Sequence, residues 1–509
     1  MTHYIYQEQV YMLAKQIITS FFLGLSLVIA AGVSDLAVAE ESQTEKTLSE
    51  KTYSADEVRE DFAELYQRLE SAHYNLYVNR TEAEYDQLFK KLRKEVKGTM
   101  TESEIRLLFQ EFVAFGNIAH ARIDLPADKY REYRKQGGKS FPLYIKVMDG
   151  KVYIAENYSD HPDVAVGMEL LAINGVKVEP LFKRLRRYKS ADNDYIFNGF
   201  LELELPLFLW FEFGPQEDFA VTLKQEDNVF DAEIKAVTHQ ELLSRLEAQQ
   251  GLLQLDWERS YEIIDGIGYL RPGPFFNFSA DADNVWDNNE FARFIEQAFT
   301  HFRENDVDAL LIDIRNNPGG DNSFSDLMVK QFADKPFKFT SEFNVKLSDE
   351  FIAANEERLS NRQNSDGVIS VSEQFKQAYK DLKPGDIFKL DLPLVEPINK
   401  PFDKPVFVLI NRHSYSNAVT VAAQVQDYGF ATIMGEKTSD LATTYGAMEN
   451  FKLTHTGINV GFPKAHIIRP SGDKSNDGVT PDIVIETPLV ESDSDPVLQE
   501  AIKEIKQRL

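Results

Sequence analysis

Ser416 sits on the seam between an apolar, β-branched run, Val406 to Ile410, and a helix-forming stretch, Asn417 to Tyr428, that stops at Gly429. The run predicts a buried strand, Asn411 to Tyr415 a polar turn, and Gly429 a natural helix end. A serine there has two readings. Its oxygen can cap the helix by accepting a backbone N–H. It can also be a nucleophile whose oxyanion meets the unpaired N–H groups and partial positive charge of the helix N-terminus. A second stretch repeats the design. Asp308 to Ile314 reads as a buried strand, runs into Arg315-Asn316-Asn317-Pro318-Gly319-Gly320, and precedes a helix predicted from about Ser325 to Phe332. Paired glycines in such a turn let backbone N–H groups face an anion with no Cβ in the way, although they also make an ordinary tight turn.

The totals narrow the chemistry. With 509 residues the chain has room for two to four domains. Its 55 Lys+Arg against 82 Asp+Glu give a net charge of −27, which argues against nucleic acid or anionic lipid as partner. With no cysteine, a thiol nucleophile, a disulfide framework and a Cys-bound metal are all excluded. Nine scattered histidines without an HExxH pattern imply no metal, and no cofactor is expected.

The elements that would carry these groups follow in order. Ile17 to Val33 is a long apolar run, and Ala37-Val38-Ala39 precedes Glu40-Glu41. An apolar core followed by an A-x-A site reads as a secretory signal peptide, residues 1–39, cleaved after Ala39; the rival is a membrane anchor. The protein is therefore expected to be exported, periplasmic or extracellular, with no stable membrane span after cleavage. Residues 40–135 read as helical, with capping boxes Ser54/Glu57, Thr81/Glu84 and Thr101/Glu104, each followed by an apolar stripe at helical spacing. His120 lies just past the third helix, where a lone histidine is either an ordinary packed residue or a base. From 136 to about 250 short strands appear, with Asn174-Gly175 as a tight-turn signal. Phe200 to Phe213 is unusually apolar, a core segment or a peptide-facing wall. From 251 to 509 strands alternate with helices, the sign of an α/β core, interrupted at about 348–399 by a polar insertion that could be a lid or a surface excursion.

Four of these stretches together resemble the C-terminal-processing (tail-specific) serine protease family, which shares its core with the tricorn peptidase. They are LLIDIRNNPGG from Leu310 to Gly320, HSYSNAV with QDYGFATIMGEKT, GVTPDI from Gly478 to Ile483, and GMELLAING, which resembles part of a PDZ domain. The resemblance implies an α/β (α+β multidomain) protein: an N-terminal helical domain, a PDZ-like β-rich domain, and a peptidase core of the ClpP/crotonase type. It also implies a polypeptide substrate, with an unstructured end that the PDZ-like domain could bind by strand addition. The family nucleophile lies eleven positions before the aspartate of Q-D-Y-G, here Asp427, which selects Ser416 over Ser414. The N–H of Asn417 and that of Gly319 or Gly320 would then hold the oxyanion.

The sequence also departs from the family. The bacterial processing proteases use a lysine twenty-five residues after the serine; here that position is Leu441, and Lys437 is four residues early. The tricorn-like branch uses a histidine instead, often in D-G-H, and this chain has Ile118-Ala119-His120. The resemblance thus implies His120 as general base, with an ordinary imidazole pKa of about 6.5 setting the acid-side limb, and Asp477 or Asp473 as the orienting carboxylate. Lys437 stays open as a displaced base. The alternatives are a non-catalytic peptide-binding member and a serine hydrolase of another ester or amide. The oligomeric state is not legible.

Overall fold

The computed structural model describes residues 50–246, 257–279, 284–360, 371–489 and 494–509. The signal-peptide reading of residues 1–39 lies outside them, as does part of the insertion, 361–370.

Helices Ala55–Ala72, Glu82–Arg93 and Glu102–Ala114 begin where the capping boxes place them, with Ser54, Thr81 and Thr101 each closing a reciprocal box. Each box satisfies orphan N–H groups with two side chains three residues apart in sequence, so it forms locally. The stripes behind the caps, including Val58, Phe62, Leu65, Tyr85 and Phe109, do not close a core alone. They pack with Phe451, Leu453, Ile458, Val460 and Phe462 of the long hairpin Thr444–Lys452/Asn459–Ile468. The helical region and the C-terminal part of the chain therefore share one buried apolar body.

Residues 143–235 form an antiparallel sheet in the order Leu143–Met148, Lys151–Asn157, Glu169–Ile173, Asp218–Gln225, Asn228–Lys235. Asn174 (φ 48°) and Gly175 (φ 74°) make the left-handed turn that folds Val176 back on Ile173. The apolar 200–213 stretch is the greater part of a 20-residue helix, Asp194–Phe213, whose buried Leu201, Leu205, Phe208 and Leu209 fill the core under this sheet. It is core rather than an open wall.

The α/β core is a six-stranded sheet in the order Ser260–Ile264, Ile267–Arg271, Ala309–Asp313, Val406–Ile410, Thr432–Gly435, Ile483–Val484. All neighbours except the first pair run parallel. Ala309–Asp313 and Val406–Ile410 are buried at every position, as expected of strands covered on both faces. The insertion is no detached lid: Asp349–Ser360 and Val371–Tyr379 pack Phe351, Phe375 and Tyr379 on a second, antiparallel sheet, and Arg358 binds Glu449 at 2.8 Å. Among the described residues no helix is long and apolar enough to cross a membrane.

Candidate active site

Parallel pairing puts three strand ends side by side. Asp313 is paired with Leu409, and Ile410 with Gly435, so the turns at 314–321, 411–416 and 436–443 emerge together at the carboxyl edge of the sheet, where open α/β sheets place their ligands. Side chains lace these turns to one another. Asn411 and Asn316 exchange hydrogen bonds at 2.8 and 3.0 Å, and Tyr415 N–H donates to Asn317 O at 2.9 Å. Ser414 is fully buried and its Oγ donates to Ile314 O at 2.8 Å, a fastening role that leaves it no access to substrate.

Ser416 is different. It occupies the N-cap position of helix Asn417–Tyr428, yet its side chain makes no capping bond and its backbone sits at φ 54°, ψ −122° rather than in the extended region a capping serine adopts. The helix ends at Gly429 in the left-handed conformation, as its sequence predicts. Asp427, the landmark that selected Ser416, is held by Arg469 at 2.7 and 2.9 Å and fastens the last turn of this helix.

Gly319 (φ 88°) backs directly onto the serine. A Cβ there would lie 2.6 Å from Tyr415 O, 2.7 Å from Asn417 N and 2.8 Å from Ser416 Cβ. Its own N–H donates to Asn317 Oδ1 at 2.8 Å. Of the two glycines it is thus Gly320 whose N–H takes no acceptor among the described residues. Asn417 N–H is the first orphan donor of its helix. The next helix starts earlier than its sequence predicts, at Asn322–Val329, because Asp321 caps it through Ser323 N–H.

His120 comes from the far end of the chain. Asn117 (φ 50°) turns the backbone out of the third helix, Ala119 packs in the core of the 143–235 sheet, and Ala121 packs with the N-terminal helices. Arg122 then pairs with Gly461 through two backbone hydrogen bonds, 2.9 and 2.8 Å. Held between two apolar cores, the His120 ring stacks on Tyr415, the residue before Ser416, with centroids 5.8 Å apart and planes 19° apart. The ring is 4% exposed, and burial, then the Arg122 charge, lowers its pKa to about 4. The expected value near 6.5 is therefore corrected: a desolvated imidazole stays neutral well into acid.

The orienting carboxylates of the sequence reading have other partners. Asp477 is half-exposed and ion-paired with Lys437 at 2.5 Å, and no hydrogen bond or ion pair joins it to His120. Asp473 is exposed and accepts from Ser475. Lys437 is likewise turned to Asp477, while Leu441 is buried. Two aspartates that sequence reasoning missed stand in the site. Asp192 accepts from Ala119 N–H at 3.1 Å, and Asp440 accepts from Ser416 N–H at 2.6 Å. Asp192 is pushed up to about 7 by burial and then by the Asp440 charge, against the pull of the Ala119 N–H. Asp440 is pushed up to about 6 by burial, against the N–H groups of Ser416 and Leu441. Asp192 looks in sequence like a cap residue of the following helix, and Asp440 like one polar residue in a loop. Neither carries a spacing signal. Among the described residues no group of three or more His, Asp or Glu is arranged to hold a metal.

A mostly parallel α/β sheet with a serine of unusual backbone at a helix start and uncommitted backbone donors nearby is an arrangement suited to acyl transfer. Residues 267–485 match the model of the family described as Peptidase family S41. The core of the chain thus matches that family, and the protein is a serine-type peptidase. Among solved structures it is similar to mature CPAF, at 17% identity over 89% of this chain and 97% of that one, TM-score 0.60. The same protein complexed with lactacystin matches at 17% identity over the same shares, TM-score 0.59. The photosystem II D1 C-terminal processing protease matches at 16% identity over 86% and 96%, TM-score 0.39. No curated protein sequence matches the chain significantly.

Proposed function

We propose that the protein is an exported serine endopeptidase in which Ser416 is the nucleophile and His120 the general base. The observation that carries this is the stacking of the His120 ring on Tyr415, the residue before a serine whose oxygen is not used to cap its helix. A neutral imidazole can take the Ser416 proton as Oγ attacks the scissile carbonyl, then return it to the leaving amine. The N–H groups of Asn417 and Gly320 would receive the developing oxyanion, a contribution usually among the largest in such reactions. Asp192, holding the Ala119 N–H, fixes the segment that carries the base. The PDZ-like sheet would present an edge to an extended stretch of the polypeptide substrate.

The test is cleavage of an unfolded protein by purified enzyme. Ser416→Ala and His120→Ala are each expected to remove nearly all turnover, and Lys437→Ala to change little. Full activity of His120→Ala with loss in Lys437→Ala would replace the histidine base by a displaced lysine.

A further inference from the structure

Asp440 is fully buried, and both its oxygens are committed to backbone N–H groups: Oδ2 accepts from Ser416 at 2.6 Å and Oδ1 from Leu441 at 2.9 Å. The first of these bonds ends on the residue with the unusual backbone, φ 54° and ψ −122°. An L-residue holds such a conformation only where its surroundings over-determine it. Gly319 forms a wall on one side, in contact with the peptide groups before and after Ser416 and with its Cβ. Asp440 supplies the attraction, through a short hydrogen bond of the charge-assisted kind.

We propose that Asp440 is a positioning residue for the peptidase reaction: through the Ser416 N–H it holds the strained peptide unit that keeps the serine oxygen out of the helix cap. This rests on Ser416 being the nucleophile. Asp440 bonds the backbone N–H of Ser416 rather than its side-chain oxygen, and so acts through the backbone.

A buried carboxylate is a costly way to hold two N–H groups if only the fold needs them. Facing Asp440 are Asp192, from the segment before helix Asp194–Phe213, and Tyr415, from the serine's own turn. Behind Tyr415 stand His120, Arg122 and Glu204. Of these groups none forms an ion pair with Asp440, and its pKa is raised from 3.8 to about 6 by burial. The folded protein then binds the Asp440 proton more tightly than the unfolded chain. The sign follows: stability falls as pH rises from about 4 through about 6 and is not regained above that. At neutral pH the Asp440 charge therefore weakens the fold while orienting the serine. An uncharged isostere should lose kcat and also the acid-side limb that Asp440 sets, a readout that a merely structural residue would not move.

The experiment compares full-length wild type, Asp440→Asn and Ser416→Ala by thermal melting and by peptide cleavage from pH 5 to 9. Asp440→Asn is expected to gain melting temperature relative to wild type between pH 5 and pH 8, as the wild-type carboxylate ionises. Its kcat is expected to fall about 10- to 100-fold, the size of losing control over one strained residue, with KM within about twofold because substrate contacts are untouched. Wild-type kcat should decline as pH drops through about 6, well above the His120 value, and the Asn variant should lack that limb. Wild-type kcat that holds steady to near pH 4 overturns the proposal without any variant. So does an Asn variant with wild-type kcat and pH profile. Full activity in Ser416→Ala would instead overturn the nucleophile assignment, whatever Asp440→Asn does.

Discussion

Gly319→Ala is the most direct probe of how the serine is held. The added methyl would meet three atoms of the serine turn at 2.6, 2.7 and 2.8 Å, two of them backbone, none able to swing away. Gly319 also sits at φ 88°, where an L side chain is strained. Left-handed backbone costs about 1–2 kcal/mol, and forcing a methyl into packed surroundings about 1–3 kcal/mol. The variant should therefore lose about 2–5 kcal/mol of stability. Gly429→Ala is the control. It stands at φ 74° at the other end of the same helix with nothing within 4 Å of the added Cβ, so it carries only the backbone term. Urea denaturation measures both. Activity should separate them further. Relief of the clash must move Tyr415, Ser416 or Asn417, and a displacement approaching 1 Å costs on the order of 10² in rate. Gly429→Ala should keep wild-type kcat. A Gly319→Ala protein that matches Gly429→Ala in both stability and kcat would refute the claim that Gly319 is the wall behind the nucleophile.

Other consequences can be read in the same assays. Ser414→Ala removes a buried hydroxyl that bonds Ile314 O and Asn411 N–H, so it should cost about 1–3 kcal/mol in urea while the folded enzyme stays active. Glu202→Ala leaves Arg412 (2.7 Å) and His413 (3.0 Å) without the buried carboxylate that braces the turn ahead of Ser416, a loss of about 3–5 kcal/mol. His120, lowered from 6.5 to about 4, contributes stability that is complete above its unfolded value and lost as pH falls from 6.5 through 4. A shift of that size is worth on the order of 3 kcal/mol, so wild type and His120→Leu should converge by that margin between pH 7 and pH 4 in denaturation midpoints. Parallel pH curves would show that the ring is not buried neutral.

What the sequence determined by itself is local. The three capping boxes, the Asn174-Gly175 turn, the strand Val406–Ile410 and the helix Asn417–Tyr428 with its Gly429 stop depend on residues within a few positions of one another, and each is where its sequence predicts. Ser414, two residues before Ser416, is tied down inside the turn by its bond to Ile314 O. Tertiary structure decided which distant groups meet. His120 reaches Tyr415 because its segment is clamped between two apolar cores and bridged to Gly461. Asp192 and Asp440 enter the site because parallel strands and the long helix bring unrelated loops together, and no spacing records that. Asp477 meets Lys437 in an ion pair that the sequence spacing does not announce. Burial, which a linear sequence does not show, then lowers the histidine and raises both aspartates, because desolvation penalises whichever form is charged.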